Sequence, residues 1–331
     1  MQRRKFGQTN LEVSEIGFGA WAIGGSFMAG NIPLGWGSTD DATSKRALRT
    51  ALSQGINFID TADFYGMGHS EELIGELVGN NSDIIIATKV GHRLAEDQSI
   101  LFDYSKDYIL HACELSLKRL KRDYIDFYQL HTAKVKHFES GECLEAMEIL
   151  KAQGKIRYWG VSLNTYNPFP EAEYLMQNNL GDGFQLVFNI INQQARKIVL
   201  EAATKGMGII ARMPLQFGLL TGKFTPQTTF EENDHRRFRL KPPVLKEALQ
   251  SLEPIWKMAE KYQITPAQLS LSFIRSFPQI STIIPGMKTP QQAKENLSGL
   301  VQLTEDDIQF ISDLYNTRLM RIVDLMEQQE S

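Results

Sequence analysis

Short runs rich in Ile, Val and Phe recur along the chain, and each is followed by a longer stretch whose apolar positions repeat with helical period. That alternation is the sequence sign of parallel βαβ units. It predicts strands at Glu15–Gly19, Asn57–Asp60, Ile84–Val90, Ile125–His131, Ile156–Ser162, Phe184–Asn189, Gly208–Arg212 and Ile280–Pro285. Helices are expected at Asp41–Gln54, Ser70–Val78, Lys106–Lys121, Glu142–Gln153, Pro168–Asn178, Lys197–Lys205 and Thr289–Gly299, with Gly154 as a C-terminal cap. Eight strands in this rhythm predict an α/β fold of the (β/α)₈ barrel type. An open doubly wound sheet would give similar local patterns, but no G-x-G-x-x-G follows the first strand as its dinucleotide site requires. The opening MQRRKFGQTNLEV reads as a β-hairpin turning at Gly7–Asn10, suited to plug the barrel bottom. Segments Pro254–Lys261, Pro266–Phe277 and Glu305–Asp324 are extra helices, and Met213–Pro242 reads as a long functional loop.

The 331 residues fit one barrel domain spanning 1–331. Acidic and basic residues nearly balance, at a formal charge of -4, and they are dispersed. The one basic cluster, Arg236, Arg237 and Arg239, reads as a solvated or phosphate-facing loop rather than a nucleic-acid footprint. Two cysteines, Cys113 and Cys143, without metal-ligand spacing, favour a reducing compartment. No apolar stretch follows the basic N-terminal residues and none approaches a membrane span, so a cytoplasmic protein without membrane or nucleic-acid partners is expected. The six histidines are scattered, which argues against a metal-dependent hydrolase barrel and predicts no metal.

In such a barrel, reactive groups gather where strands end, because the βα loops converge there. Asp60 closes the second predicted strand, Tyr65 lies just beyond it, Lys89 closes the third and His131 the fourth. Each has an ordinary alternative: a helix cap, a packing aromatic, a snorkelling lysine, a satisfied core histidine. Their occurrence in successive units favours a shared site.

These residues carry a family likeness. FIDTADFYG (58–66), IIATKVG (85–91) and IDFYQLH (125–131) resemble signature segments of the aldo-keto reductases, and so do GFGAW, KIRYWGVS, PLQFGLLTGKF and IIPGMKTPQQAKEN. The resemblance covers nearly the whole chain. It implies an NADP-dependent oxidoreductase that reduces a small-molecule carbonyl (an aldehyde, ketone or open-chain sugar) to an alcohol with NADPH. Tyr65 would be the general acid and Lys89 would favour its conjugate base. Asp60 would hold Lys89, and His131 would orient the carbonyl oxygen.

For the cofactor, the resemblance implies Gly19, Ala20 and Trp21 after the first strand, and Ser162, Asn164 and Gln185 at the carboxamide. Arg212, Pro214 and Leu215 would lie by the nicotinamide, and Leu219, Gly222 and Lys223 at the pyrophosphate. Gly286, Lys288 and Thr289 would meet the 2′-phosphate, and Gln292, Glu295 and Asn296 the adenosine. An ordinary glycine-rich loop remains an alternative for Lys223, and a solvated helix face for the last three. Trp21, Trp36, Phe64 and His92, with Tyr65, would line the substrate pocket.

Three positions depart from the family pattern. Leu163 separates Ser162 from Asn164; Arg212 stands where an aromatic commonly stacks on the nicotinamide; and Met28–Ser38 extends the first βα loop around Trp36. Some proteins resembling the family are non-catalytic cofactor sensors of potassium channels, an alternative reading as a regulatory NADP(H)-binding subunit. Those typically lack a histidine at the position of His131, so its presence favours an enzyme.

Overall fold

The computed structural model describes residues 1–30, 32–37 and 39–329. Eight parallel strands form one sheet: β1 (Phe18–Gly19), β2 (Phe58–Asp60), β3 (Ile85–Val90), β4 (Ile125–His131), β5 (Ile156–Ser162), β6 (Gly183–Val187), β7 (Gly208–Arg212) and β8 (Thr282–Ile284). Neighbours pair in chain order. Closure comes from the segment around β1, where Gly17 N donates to Ile283 O at 2.8 Å, Ile283 N to Glu15 O at 3.0 Å and Gly19 N to Pro285 O at 3.0 Å. The expected (β/α)₈ barrel is therefore the observed one.

The N-terminal hairpin, Arg3–Lys5 paired with Glu12–Ser14, closes the bottom. Phe6, Leu11 and Val13 form an apolar cluster with Phe58, Ile85, Ala87, Phe127, Ile210 and Ile284, which marks these strand positions as the barrel interior. A side chain at Gly208 would put its Cβ 2.4 Å from the Phe6 ring, so the bare backbone there is what admits the plug.

Several expectations shift. The sixth strand stops at Val187 because Asn189 turns the chain, its Oδ1 accepting from Ile191 N and Asn192 N at 2.9 Å each. The long loop is more ordered than its composition suggests. It holds a 3₁₀ segment (Gln216–Thr221) and a turn of helix (Arg236–Arg239), and it ends where Pro242 opens a helix (Pro242–Ser251) as its first residue. The C-terminal helix is interrupted by a π-helical turn at Tyr315–Leu319. The pattern did not predict the short helix Val135–Ser140 or two hairpins at the mouth, Phe27–Ala29 with Ile32–Leu34 and His92–Leu94 with Ile100–Phe102. Of the loop Met28–Ser38, Asn31 and Ser38 lie outside the described residues. No helix among the described residues is long and apolar enough to cross a membrane, and no His, Cys, Asp or Glu group among them could hold a metal ion. Cys113 and Cys143 are buried free thiols.

Candidate active site at the barrel mouth

Side chains alternate faces along a strand, so a residue two beyond an inward apolar one also points inward, nearer the C-terminal end. Phe58 is followed by Asp60, Ala87 by Lys89, Phe127 by Gln129 and then His131, and Ile210 by Arg212. The same alternation that fills the bottom with rings thus delivers a polar layer to the top.

Lys89 is fully buried. Its Nζ donates to Asp60 Oδ1 at 2.6 Å, to Thr61 O at 2.8 Å and to Tyr65 Oη at 3.1 Å. Burial is the largest influence on this ammonium and pulls its pKa down. Asp60 and Tyr65 together outweigh it and leave the pKa above the usual lysine value. Asp60 Oδ2 accepts from Gln129 Nε2 at 3.1 Å and Gln185 Nε2 at 2.6 Å. Three donors on one buried carboxylate are what make such a pair tolerable, since an ion pair without them seldom recovers its desolvation cost.

Tyr65 is carried by the turn after β2. Gly66, at φ 61°, lies so close to Gly24 that a Cβ would come within 2.0 Å of the Gly24 carbonyl oxygen. Trp21 stacks on Tyr65 with ring centroids 6.2 Å apart, and Trp21 and Trp36 meet edge to face at 5.8 Å.

The His131 ring stands edge to face with Tyr65 at 6.1 Å and is stacked flat on His92, centroids 3.9 Å apart and planes 9° apart. Burial holds His131 well below the ordinary histidine range and takes His92 down to about 4, so two neutral imidazoles stack at neutral pH. His131 Nδ1 is buried without a protein partner. The next residue, Thr132, has φ 62°, a strained conformation for a β-branched side chain. It is pinned by Thr132 N to Ser162 O and by His92 Nε2 with Thr132 Oγ1, each at 2.9 Å, while the Tyr104 hydroxyl donates to His131 O at 2.5 Å.

Several expected cofactor residues are engaged within the protein. Gln185 donates to Asp60 as described. Asn164 Oδ1 accepts from Tyr166 N and Asn167 N at 3.0 Å each, so it shapes its own turn, as the intervening Leu163 foreshadowed. Gly19 N and Ala20 N serve the barrel, the latter donating to Asp60 O at 2.9 Å. Ser162 is buried at the end of β5. Arg212 Nη2 donates to Leu163 O at 3.1 Å and Thr165 Oγ1 at 3.0 Å, while its Nε is buried and unpartnered. Pro214 O accepts from Ser270 Oγ at 2.8 Å, and Leu215 O takes Gly218 N and Leu220 N. In this stretch Met213, Gln216 and Phe217 all carry positive φ, a concentration of strain typical of functional loops.

Leu219 is buried, Gly222 at φ 70° packs on Pro266, and Lys223 reaches Glu295 at 3.5 Å, clasping the long loop to the last barrel helix (Pro290–Leu297). Thr289 caps that helix with Pro290 as its first residue. Gln292 Oε1 accepts from Lys288 N at 2.7 Å, and Asn296 Nδ2 reaches Gly286 O at 3.5 Å. Lys288 Nζ donates to Trp36 O at 2.7 Å, and burial lowers its pKa. Phe64 is buried against Phe27 and His92.

Sequence reasoning missed Gln129, Thr132, Tyr104 and the pair His235 and Arg239. The signal for Gln129 was the period of two between Phe127 and His131. His235 left none, because the partners that make it a latch, Pro33 and Gly35, lie some 200 residues away in the chain. Its Nδ1 donates to Pro33 O at 2.9 Å, its Nε2 accepts from Arg239 Nε at 2.8 Å, and its amide binds Gly35 O, so the long loop is latched to the first. The arginine cluster serves this latch as well: Arg236 pairs with Asp234 and lies 5.6 Å from the Trp36 ring, while Arg237 pairs with Glu232.

Comparisons with known proteins agree with this architecture. YhdN, an aldo-keto reductase of Bacillus subtilis, is 32% identical over 96% of this chain and 95% of its own. The NADH-specific methylglyoxal reductase of Escherichia coli is 27% identical over 95% of this chain and 98% of its own. The glycerol dehydrogenase AKR11B4 of Gluconobacter oxydans superposes with a TM-score of 0.79 at 28% identity, covering 96% of this chain and 95% of that one. The model of the aldo/keto reductase family matches residues 15–316, and the chain belongs to that family.

Proposed function

We propose that this protein is an NADPH-dependent carbonyl reductase with Tyr65 as its proton donor. The observation that carries the reading is the triple contact of the buried Lys89 ammonium with Asp60, Thr61 and Tyr65 at the end of the barrel where loops converge. A cation fixed 3.1 Å from a phenol oxygen favours the phenolate that remains once the proton has left.

The mouth suits a nicotinamide dinucleotide. Arg212 brings an unpartnered buried Nε, the strained Met213–Gly218 backbone passes beside it, and Lys288 precedes a helix N-terminus whose free N–H groups favour phosphate. Residues 286–289 with Gln292 and Asn296 would hold the adenosine end, and Ser162 with the Gln185 oxygen the carboxamide. When bound, the reduced nicotinamide supplies a hydride to the carbonyl carbon. His131 donates a ring N–H to the carbonyl oxygen and aims it at Tyr65. The Tyr65 hydroxyl gives that oxygen its proton, Lys89 holds the resulting phenolate, and Asp60, braced by Gln129 and Gln185, holds Lys89.

NADPH is preferred over NADH because Lys288 offers the 2′-phosphate a half-desolvated ammonium, whereas NADH presents only a hydroxyl there. NADPH oxidation measured with a panel of aldehydes, ketones and sugars tests the proposal. Wild type should turn over at least one class, and Tyr65→Phe should lose at least about 10²-fold in kcat with NADPH affinity kept. Near-wild-type turnover by that variant would remove Tyr65 from the mechanism.

A further inference from the structure

Among the described residues eleven large apolar side chains are exposed, and five of them, Met28, Ile32, Met67, Leu101 and Phe102, sit in three segments just beyond β1, β2 and β3. Scattered exposed apolar groups need no explanation, but a gathered set does. Two of the segments are the mouth hairpins, and the tip of the first, at Gly30, approaches the Gln98 carbonyl of the second. No charged residue occurs between Glu15 and Asp40, so the whole first βα loop is uncharged, unusual for an exposed connection. In the second hairpin the exposed carboxylates Glu96 and Asp97 are confined to the tip beyond the paired strands, and Arg93 is drawn aside by Asp103 at 3.3 Å and lies over the Tyr108 ring.

A line of rings joins this rim to the reacting groups. Phe102, 57% exposed, meets His92 edge to face at 4.9 Å; His92 meets Phe64 at 5.6 Å; Phe64 meets Phe27 at 5.4 Å; and His92 lies flat on His131. Both imidazoles are neutral, so from Phe102 to His131 the wall carries no charge. A polyhydroxylated substrate would find few partners along it and would be stripped of water without compensation, whereas an alkyl or aryl chain loses nothing.

Resting on the carbonyl-reductase reading above, we propose that the substrates are carbonyl compounds with an extended uncharged apolar tail. The carbonyl lies at His131 and Tyr65, and the tail runs out between the two hairpins over His92 to Phe102 and Met28. The rim is continuous with the reacting groups, which points to the substrate's own tail as its occupant.

The test uses the full chain with NADPH and a series of n-alkanals from propanal to octanal, with D-xylose as the polar counterpart. kcat/KM should rise about two- to four-fold for each added methylene, the range expected for burying one CH₂. Phe102→Ser and, separately, Met28→Ser should each lower octanal reduction at least about three-fold more than propanal reduction. A flat series, or a preference for D-xylose, overturns the proposal. The affinity of the oxidised-cofactor complex for n-alkanamides of the same lengths, measured by calorimetry, separates this inference from the one beneath it. Affinity that climbs with chain length in a protein reducing no carbonyl would refute the reductase reading and keep the apolar site; flat affinity would refute the apolar site. Phe102-dependent self-association in sedimentation, combined with a flat alkanal series, would assign the rim to a second copy and overturn the proposal.

Discussion

The two ends of the barrel are built from the same strands and spend their inward positions in opposite ways. At the bottom Phe58, Ile85, Ala87, Phe127 and Ile210 close on Phe6 in one apolar cluster. Two residues further along those strands stand Asp60, Lys89, Gln129 and Arg212, the first three buried and all four held by hydrogen bonds. Burying rings is favourable wherever they pack, whereas burying an ammonium and a carboxylate recovers its cost only through geometry. The bottom therefore contributes stability, and the top draws on it to hold reactive groups in place.

The comparison breaks if damage at one end reads out as the property of the other. The largest effect is expected from Phe6→Ala, which should cost about 3–5 kcal/mol of unfolding free energy in denaturant titration while the folded fraction keeps its specific activity. A variant that folds normally but loses turnover would show that the plug serves the chemistry. Lys89→Met, nearly isosteric, should cost about 10²-fold in turnover and displace the pH–rate profile, because the charge beside Tyr65 is gone. An unchanged profile would mark Lys89 as a packing residue.

Lys288→Ala sharpens the picture at the mouth. It should weaken NADPH binding by about 1–3 kcal/mol in fluorescence titration and leave NADH nearly unaffected. Equal losses would mean that the lysine acts through its bond to Trp36 O rather than through phosphate. The smallest effect concerns acid. Burial, with Arg239 beside it, takes His235 down to about 4, so below pH 6.5 the unfolded chain gains a proton that the folded latch refuses. Stability from this group is complete above pH 6.5 and is lost as pH falls toward 4, at about 1 kcal/mol per unit. Melting curves at pH 7 and 5 should show a smaller acid loss in His235→Asn than in wild type.

The barrel was legible because its signal is local: alternation within each strand and period within each helix. Strands β4, β5 and β7 fall on their expected residues, and the last barrel helix begins at Thr289 and Pro290 as expected. Their places at successive strand ends singled out Asp60, Tyr65, Lys89 and His131, the likeness to a family gave them roles, and the structure brings Asp60, Tyr65 and Lys89 into contact there. What stayed hidden depends on partners distant in the chain. Nothing near His235 announces Pro33, and nothing near Gln185 announces that its amide goes to Asp60, 125 residues away. Asn164 shows a local bond that went unread: its Oδ1 holds its own turn by accepting from Tyr166 N. The mouth hairpins were missed because their strands are three residues long and lack a clear alternation.

The hairpin plug also sets an order of events during synthesis. Arg4 leaves the ribosome well before its partners: its guanidinium donates to the carbonyls of Arg275, Phe277 and Ile280, the last of them 276 residues further on. At roughly 5–20 residues per second that partner arrives about a quarter of a minute to a minute later. Through that interval the edge of the first strand that meets the eighth has no partner, and Phe6 has only part of its eventual cover. The plug that makes the finished barrel secure is, until the eighth strand emerges, its most exposed liability, and a task for whatever chaperone meets the chain at the tunnel exit.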